Sequence, residues 1–219
     1  MKMLDVPQSG SMAGTTASRN RYGQYWRTRA IPVNPRSNPQ GVVRAAFGLV
    51  TSGWRALTSD QRAGWGDLGL SMTRRDSLGQ SYNLTGAQAY GSLNMILHAA
   101  GDALLTDAPA SLTPVALASV TVTTTGGTLS VAYTATPLPA NAKLFLYASP
   151  QRSAGRAFEQ DFRLIMVSAA AAASPSNILA AYTAKFGAPL VGKRIFFSLQ
   201  VMLGGFLSAP FLTSKVVTA

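Results

Sequence analysis

From residue 39 to about residue 105 the apolar positions recur every three or four residues. Val43, Phe47, Val50, Trp54 and Leu57 form one such series, which predicts an amphipathic helix. Pro39 suits the first helical position after an Asn38 cap. Thr58-Ser-Asp-Gln61 and Thr85-Gly-Ala-Gln88 each have the Thr-x-x-Gln form in which two side chains satisfy orphan backbone N–H groups at a helix start. They mark helices two and three. The third helix places Tyr90, Leu93, Leu97 and Ala100 on one face and stops near Gly101, and residues 74–83 read as a turn or short hairpin between helices. Trp54 and Trp65 are expected in the core.

An Ala/Pro stretch over residues 107–114 separates this region from one with a period of two. Residues 118–125 and 128–136 are β-branched runs flanking Gly126-Gly127, a hairpin signal. Further strands are expected at 143–148, 162–168, 194–203 and 206–217, with a short helix over 178–186 capped by Asn177 and stopped by Gly187. Six strands in about 105 residues suggest an immunoglobulin-like or fibronectin-like sandwich. Its interior should include Val120, Val122, Val131, Tyr133, Leu144, Leu146, Ile165, Phe196 and Val201.

Residues 1–38 have no helical period and are rich in Ser, Thr, Gly, Pro, Asn and Arg. A turn signal at 20–23 precedes alternating residues, with Tyr25, Arg27 and Arg29 on one face and Gln24, Trp26 and Thr28 on the other. Pro32, Pro35 and Pro39 keep the following chain extended. The stretch carries too little apolar surface to offset its own ordering entropy, so it is expected to be an extended arm that orders against another domain or subunit. The predicted layout is α+β and multidomain. It comprises an extended basic arm (1–38), a small helical domain (39–106), a linker (107–114) and the β-sandwich (115–219).

Composition restricts the chemistry. Of 219 residues, 47% are hydrophobic and only 12% charged, about half the usual charged share, which excludes a wholly disordered chain. There is no Cys, one His (His98) and one Glu (Glu159). Thiol catalysis, disulfides and Cys or multi-His metal sites are therefore excluded. No Gly-x-Ser-x-Gly or Walker A motif occurs, nor a dinucleotide glycine fingerprint at a strand-to-helix turn, and no cofactor is implied. Glu159 and Asp161 could alternate onto one strand face, but Arg156 and Arg163 beside them favour ion pairs in a solvated loop over paired-carboxylate hydrolysis. His98 reads as structural. The uncharged stretches 164–184 and 195–214 are interrupted by Pro and Gly, which argues against membrane spans, and the first ten residues lack the apolar run of an export signal.

Charge supplies the sharpest functional signal. The 19 basic residues outnumber 8 acidic ones, a formal net charge of +11. Seven arginines (Arg19, Arg21, Arg27, Arg29, Arg36, Arg44, Arg55) lie between Asp5 and Asp60, where no acid occurs. Arginine docks on carboxylates and phosphates through a planar fork and stacks on aromatic rings. The candidate protein interface is Arg19, Arg21, Tyr22, Tyr25, Trp26, Arg27, Arg29 and Arg36. Nucleic acid, with Arg on phosphate and Tyr22, Tyr25 or Trp26 stacking on bases, is the alternative partner.

The run Arg21-Tyr-Gly-Gln-Tyr-Trp-Arg-Thr-Arg29, then Pro32-Val-Asn-Pro35, Gln40, Arg44, Phe47, Trp54-Arg-Ala-Leu-Thr58 and Gln61-Arg-Ala-Gly-Trp65, resembles the amino-terminal signature of small structural proteins of tailed bacteriophages and prophages. Leu144-Phe-Leu-Tyr147, Tyr182-Thr-Ala-Lys-Phe-Gly187 and Arg194-Ile-Phe-Phe197 resemble the immunoglobulin-like domain that often follows in that group. The resemblance implies a non-enzymatic virion component assembled in the host cytoplasm. Its expected role is capsid decoration (cement) or another assembly-stabilising subunit bound through its basic arm. A tail or neck accessory or adhesion protein is the alternative. Implied partners are other capsid or tail subunits and further copies of the chain in the particle, with no membrane.

Overall fold

The alternation at residues 15–28 folds back on itself. In the computed structural model, which describes residues 9–76, 78–110, 113–124, 127–134 and 137–218, strands β1 (Gly10–Met12), β2 (Thr15–Asn20) and β3 (Gly23–Thr28) form an antiparallel sheet in the order β1-β2-β3. The β2–β3 turn falls where the sequence predicts it. Asn20 Oδ1 accepts the Tyr22 N–H at 2.9 Å, and Gly23 takes a φ of +116°, a conformation that a side chain rarely tolerates. The expectation of a wholly extended arm is therefore corrected. Two tight turns give residues 10–28 ladder partners of their own, and an element-free chain remains only over 29–37. Residues 1–8 lie outside the described residues.

The chain forms two compact units, one up to Val42 and one from Val43 onward. Helix α1 (Asn38–Ala56) begins at the predicted cap. Both predicted capping boxes are formed, opening α2 (Ser59–Ser71) and, after the hairpin β4 (Thr73–Arg75) and β5 (Ser81–Asn83), α3 (Gly86–Ala99). Gly101, at φ +73°, follows the end of α3. Helices α2 and α3 approach through glycine. A Cβ on Gly69 would lie 2.5 Å from the Leu84 carbonyl oxygen, and one on Gly86 would lie 2.8 Å from the Gly66 nitrogen. Val50, Leu57, Trp65, Leu68, Tyr90 and Leu93 form the buried helical cluster. Trp65 is fully buried, but Trp54 is only partly so, contrary to its expected core position.

Beyond α3 the second unit continues as β6 (Ser119–Thr123), β7 (Ser130–Thr134), β8 (Lys143–Ala148), β9 (Arg152–Ser153), β10 (Arg163–Val167), β11 (Ser176–Asn177), α4 (Leu179–Phe186), β12 (Lys193–Leu203), β13 (Phe206–Leu207) and β14 (Phe211–Val216). The β6–β7 pairing follows the predicted hairpin, whose Gly126 lies outside the described residues. Asn177 Oδ1 accepts the Leu179 N–H at 3.0 Å beside the start of α4, where Ile178 holds the cap position, and Gly187 ends the helix. A six-stranded antiparallel sheet follows the path β10-β8-β12-β13, with β14 and β9 also paired to β12; a smaller sheet runs β11-β7-β6. The architecture is mixed α+β.

Both sheets contribute to one core. Val122, Val131 and Tyr133 from the smaller sheet meet Leu144, Leu146, Ile195, Phe197, Leu199 and Val201 from the larger. Val120 and Ile165 are partly buried against it. The register of β12 turns Ile195 and Phe197 inward, so Phe196 is buried on the opposite face of the sheet and not in this core. On the opposite face of β8 and β12, Phe145 and Met202 are buried against Leu97 of α3.

Residues 102–108, which lead from α3 into the predicted linker at 107–114, are tied to the helices. Asn94 Oδ1 accepts the Leu105 N–H at 2.7 Å, Trp65 Nε1 donates to the Thr106 carbonyl at 2.8 Å, and Gln61 Nε2 donates to Asp107 at 3.1 Å. Lys143 Nζ lies 2.6 Å from Asp102 Oδ1, adding a tie to β8. The period change at 107–114 thus runs inside the second unit.

Two stability tests follow. Leu146→Ala should cost about 2–5 kcal/mol in denaturant unfolding, because the side chain is fully buried; an unchanged midpoint would remove Leu146 from the core. Gly69→Ala should destabilise by about 1–3 kcal/mol despite the better helix propensity of Ala, since the added methyl meets backbone. A variant as stable as wild type would show that α2 and α3 can separate freely.

Candidate interaction surfaces

The eight predicted interface residues all fall in the first unit, seven of them on or beside the β2–β3 hairpin. Register sorts them by face, since directly paired residues share one. Arg27 pairs with Thr16 and Tyr25 with Ser18; Trp26 pairs with Ala17, and Arg19 with Gln24. One face therefore carries Tyr25 and Arg27, and the other carries Trp26 and Arg19. The predicted alternation of Tyr25 and Arg27 against Gln24 and Trp26 matches this arrangement.

Arg19, Arg21, Arg27, Arg29 and Arg36 are exposed, while Tyr25 and Trp26 are half-buried. Met12, Thr15, Ala17 and Trp26 line a shallow depression of about 340 Å³ on the Trp26 face. At the hairpin tip the Arg21 guanidinium lies 4.6 Å from the centroid of the Tyr22 ring and donates to the Tyr22 hydroxyl. Tyr22 remains 65% exposed. Arg29 N–H donates to the Gly14 carbonyl at 2.8 Å, which extends the ladder by one residue. Arg36 takes φ +48° with its N–H on Asn34 Oδ1 at 3.1 Å; a non-glycine residue in this region costs of order 1–3 kcal/mol. The hairpin gathers six of the eight residues, and Arg29 and Arg36 follow it along the chain.

The carboxylates are paired, as the flanking arginines suggest, but Glu159 is not solvated. Its side chain is buried, with Arg152 Nε donating to Oε2 and Arg156 Nη2 3.5 Å from Oε1. Oε1 also accepts the backbone N–H groups of Gln160 and Asp161 at 2.9 and 3.1 Å. Asp161 pairs with Arg163 at 3.3 Å and lies 3.8 Å from Arg152. The Asp161 N–H, opposed by burial and aided by the Gln160 N–H and Arg152, holds the Glu159 carboxyl down from about 4.5 to about 2. Phe158, Glu159 and Phe162 border the same small hollow as Phe196 and Leu212. These contacts make Glu159 the clamp of the loop over the outer face of β12. His98 is exposed near the C-terminal end of α3. Among the described residues, no group of three His, Cys, Asp or Glu side chains could hold a metal ion, and no helix is long and apolar enough to cross a membrane.

A surface absent from the sequence expectations lies between α1 and α3. The series Val43, Phe47, Val50, Trp54, Leu57 buries only Val50 and Leu57; Val43 and Phe47 are each 60% exposed. Phe47, Val50 and Trp54 on α1 and Tyr90, Gly91 and Met95 on α3 line an open groove of about 580 Å³. Its signal in the sequence is that helix one has more apolar positions than a narrow buried stripe uses.

Comparison with protein-family models, with curated proteins and with solved structures gives no match.

Because the Glu159 pKa is depressed on folding, its stabilising effect is fully present above about pH 4.5 and fades as the pH falls toward about 2. Glu159→Gln should therefore lower the unfolding midpoint at pH 7, and the gap to wild type should narrow across that window. A gap independent of pH would show that the ionised carboxylate is not what holds the loop.

Proposed function

We propose that the protein is a non-enzymatic structural subunit of a virion, a capsid decoration (cement) or other assembly-stabilising component, held to its neighbours through Arg19, Arg21, Tyr22, Tyr25, Trp26, Arg27, Arg29 and Arg36. The observation that carries the reading is a concentration of exposed arginine with no local acid. Five of those residues are exposed arginines in a span whose sequence contains no Asp or Glu between Asp5 and Asp60. Solubility alone needs no such clustering, whereas recognition of carboxylates on another subunit does. The resemblance of residues 21–65 to tailed-phage structural proteins supports the same reading. So does the scarcity of catalytic side chains, with a single His, a single Glu and no Cys.

We also read the region after residue 115 as an immunoglobulin-like or fibronectin-like sandwich that extends or projects from the assembly. Two antiparallel sheets sharing one core support this. Nucleic acid is the second reading, favoured by Tyr25 and Arg27 on one sheet face.

Copy number in purified particles is the direct test: a decoration subunit should be present in many copies, and absence from particles would overturn the proposal. Replacing Arg27, Arg29 and Arg36 together by Lys should lower incorporation at least tenfold, because a desolvated hydrogen bond to a charged group is worth about 1.5–3 kcal/mol and the bidentate fork is lost. Normal incorporation would show that charge alone suffices. A gel shift with DNA or RNA that falls steeply with salt would favour the second reading.

A further inference from the structure

We propose that the groove between α1 and α3 is a docking site for an acidic amphipathic segment of another polypeptide, which seats apolar side chains between the helices and sets carboxylates against the arginines of α1. The proposal involves none of the interface residues at 19–36 and does not depend on the virion reading.

The groove is recessed between two helices, and its walls are Phe47, Val50 and Trp54 on one side and Tyr90, Gly91 and Met95 on the other. Its floor is rigid. Trp65 packs edge-on against Tyr90 with ring centroids 5.1 Å apart, and Trp54 lies 5.5 Å from the same ring. Gly53 lets α1 come this close, since a Cβ there would lie 2.5 Å from the Tyr90 hydroxyl. A concave apolar surface of this kind takes the side chains of an amphipathic helix at i, i+3, i+4 and i+7. A small polar ligand would need convergent polar groups, and the Thr51 hydroxyl in the wall already donates to the Phe47 carbonyl at 2.8 Å.

Charge selects the occupant. Arg44 and Arg55 stand seven residues before and four after the groove-lining Thr51, hence on its face of α1. Arg62 places its guanidinium 5.9 Å from the Trp54 ring centroid and donates to the Arg55 carbonyl at 2.8 Å. The opposite wall is uncharged, since no Asp, Glu, Lys or Arg occurs between Asp76 and Asp102. Asp60 and Asp67, like Arg62, belong to α2, which supplies no lining residue, so the flanking charge is that of Arg44 and Arg55. The lining itself is uncharged, and the charged residues that flank it on α1 are both arginines. A second copy of a chain with net charge +11 would bring like charges together, whereas an acidic segment is attracted.

Gly91 makes the site testable. A Cβ at this position meets nothing within 4 Å, so Gly91→Leu fills the groove and also removes a glycine from a helix interior. The full-length protein would be used to select from displayed sixteen-residue peptides, with counter-selection on G91L. Enriched peptides should be acidic, with apolar residues at i and i+3 or i+4. Synthesised, they should bind at least tenfold more weakly to G91L, whose melting temperature should match or exceed that of wild type. Phe47→Glu, at an exposed position, serves as a second variant should G91L not fold, and should weaken binding equally. Arg44→Glu with Arg55→Glu should reverse the preference toward basic peptides. The proposal is overturned if no peptide is enriched, if neutral or basic peptides dominate, or if both groove variants bind as wild type does. It is equally overturned by a concentration-dependent dimer that G91L abolishes, which would make a second copy the occupant. Cosedimentation with phosphatidylglycerol vesicles that G91L abolishes, without peptide enrichment, would assign the groove to a membrane surface.

Discussion

Strands β8 and β12 are apolar on both faces, and the second unit is organised around keeping water from both. Leu144, Leu146, Ile195, Phe197 and Leu199 face the smaller sheet, while Phe145 and Met202 face Leu97 of α3. A half-buried antiparallel strand alternates apolar with polar residues, but strands covered on two sides read as nearly continuous apolar runs. Lys143–Ala148 and Lys193–Leu203 are runs of that kind. Two covers are therefore required. The smaller sheet with α4 provides one, and α3 with the Glu159-clamped loop provides the other. This gives the ties over residues 102–108 their importance: they hold the end of α3 against the sheet that needs it.

Once α3 is committed to the sheet through Leu97, its other apolar positions are available to helices. Tyr90 and Leu93 pack with Trp65 and Leu68 of α2, at a distance that only the glycines at 69 and 86 permit. Helix α1 then has access to only part of α3. It buries Val50 and Leu57, while Val42, Val43, Phe47 and Leu49 stay more than half exposed. Helices in proteins owe most of their stability to packing of an apolar face, so α1 leaves unused much of the surface that would stabilise it. The groove is the geometric remainder of a helix bundle whose central member is shared with a sheet.

Local rules were readable in the sequence. The capping boxes at Thr58 and Thr85 are reciprocal contacts within four residues, so residue identity and spacing specify them. The Asn20 to Gly23 turn is equally local. What could not be read depends on partners remote in sequence. Alternation in β12 allows either Phe196 or Phe197 to face the core, and only pairing with β8 and β14 settles the choice. The periodicity of α1 marks an apolar stripe but not how much of it another helix will cover. The burial of Glu159 depends on Arg152, seven residues earlier, and on two backbone N–H groups that the loop must first curl to present. Residues 10–28 looked unable to order because their apolar content is small, yet two tight turns supply a ladder that apolar counting overlooks.

The exposed arginines of the first unit cost the free protein little and constrain what can cover them. Salt screens exposed charges, and Arg19 and Arg27 lie on opposite faces of the hairpin, so the exposed arginines destabilise the free protein little. Burial changes the balance. A guanidinium taken out of water loses its hydration and recovers it only through well-aligned acceptors, and no carboxylate lies in its own stretch of chain to provide them. A surface that closes over these residues must bring its own carboxylates or phosphates, placed to match a planar fork. An apolar or basic surface would leave buried charge unpaired. The missing local acids would thus act as a filter on any surface that closes here, while Tyr25 and Trp26 beside them, half-buried on opposite faces of the same hairpin, offer apolar area that does not depend on charge.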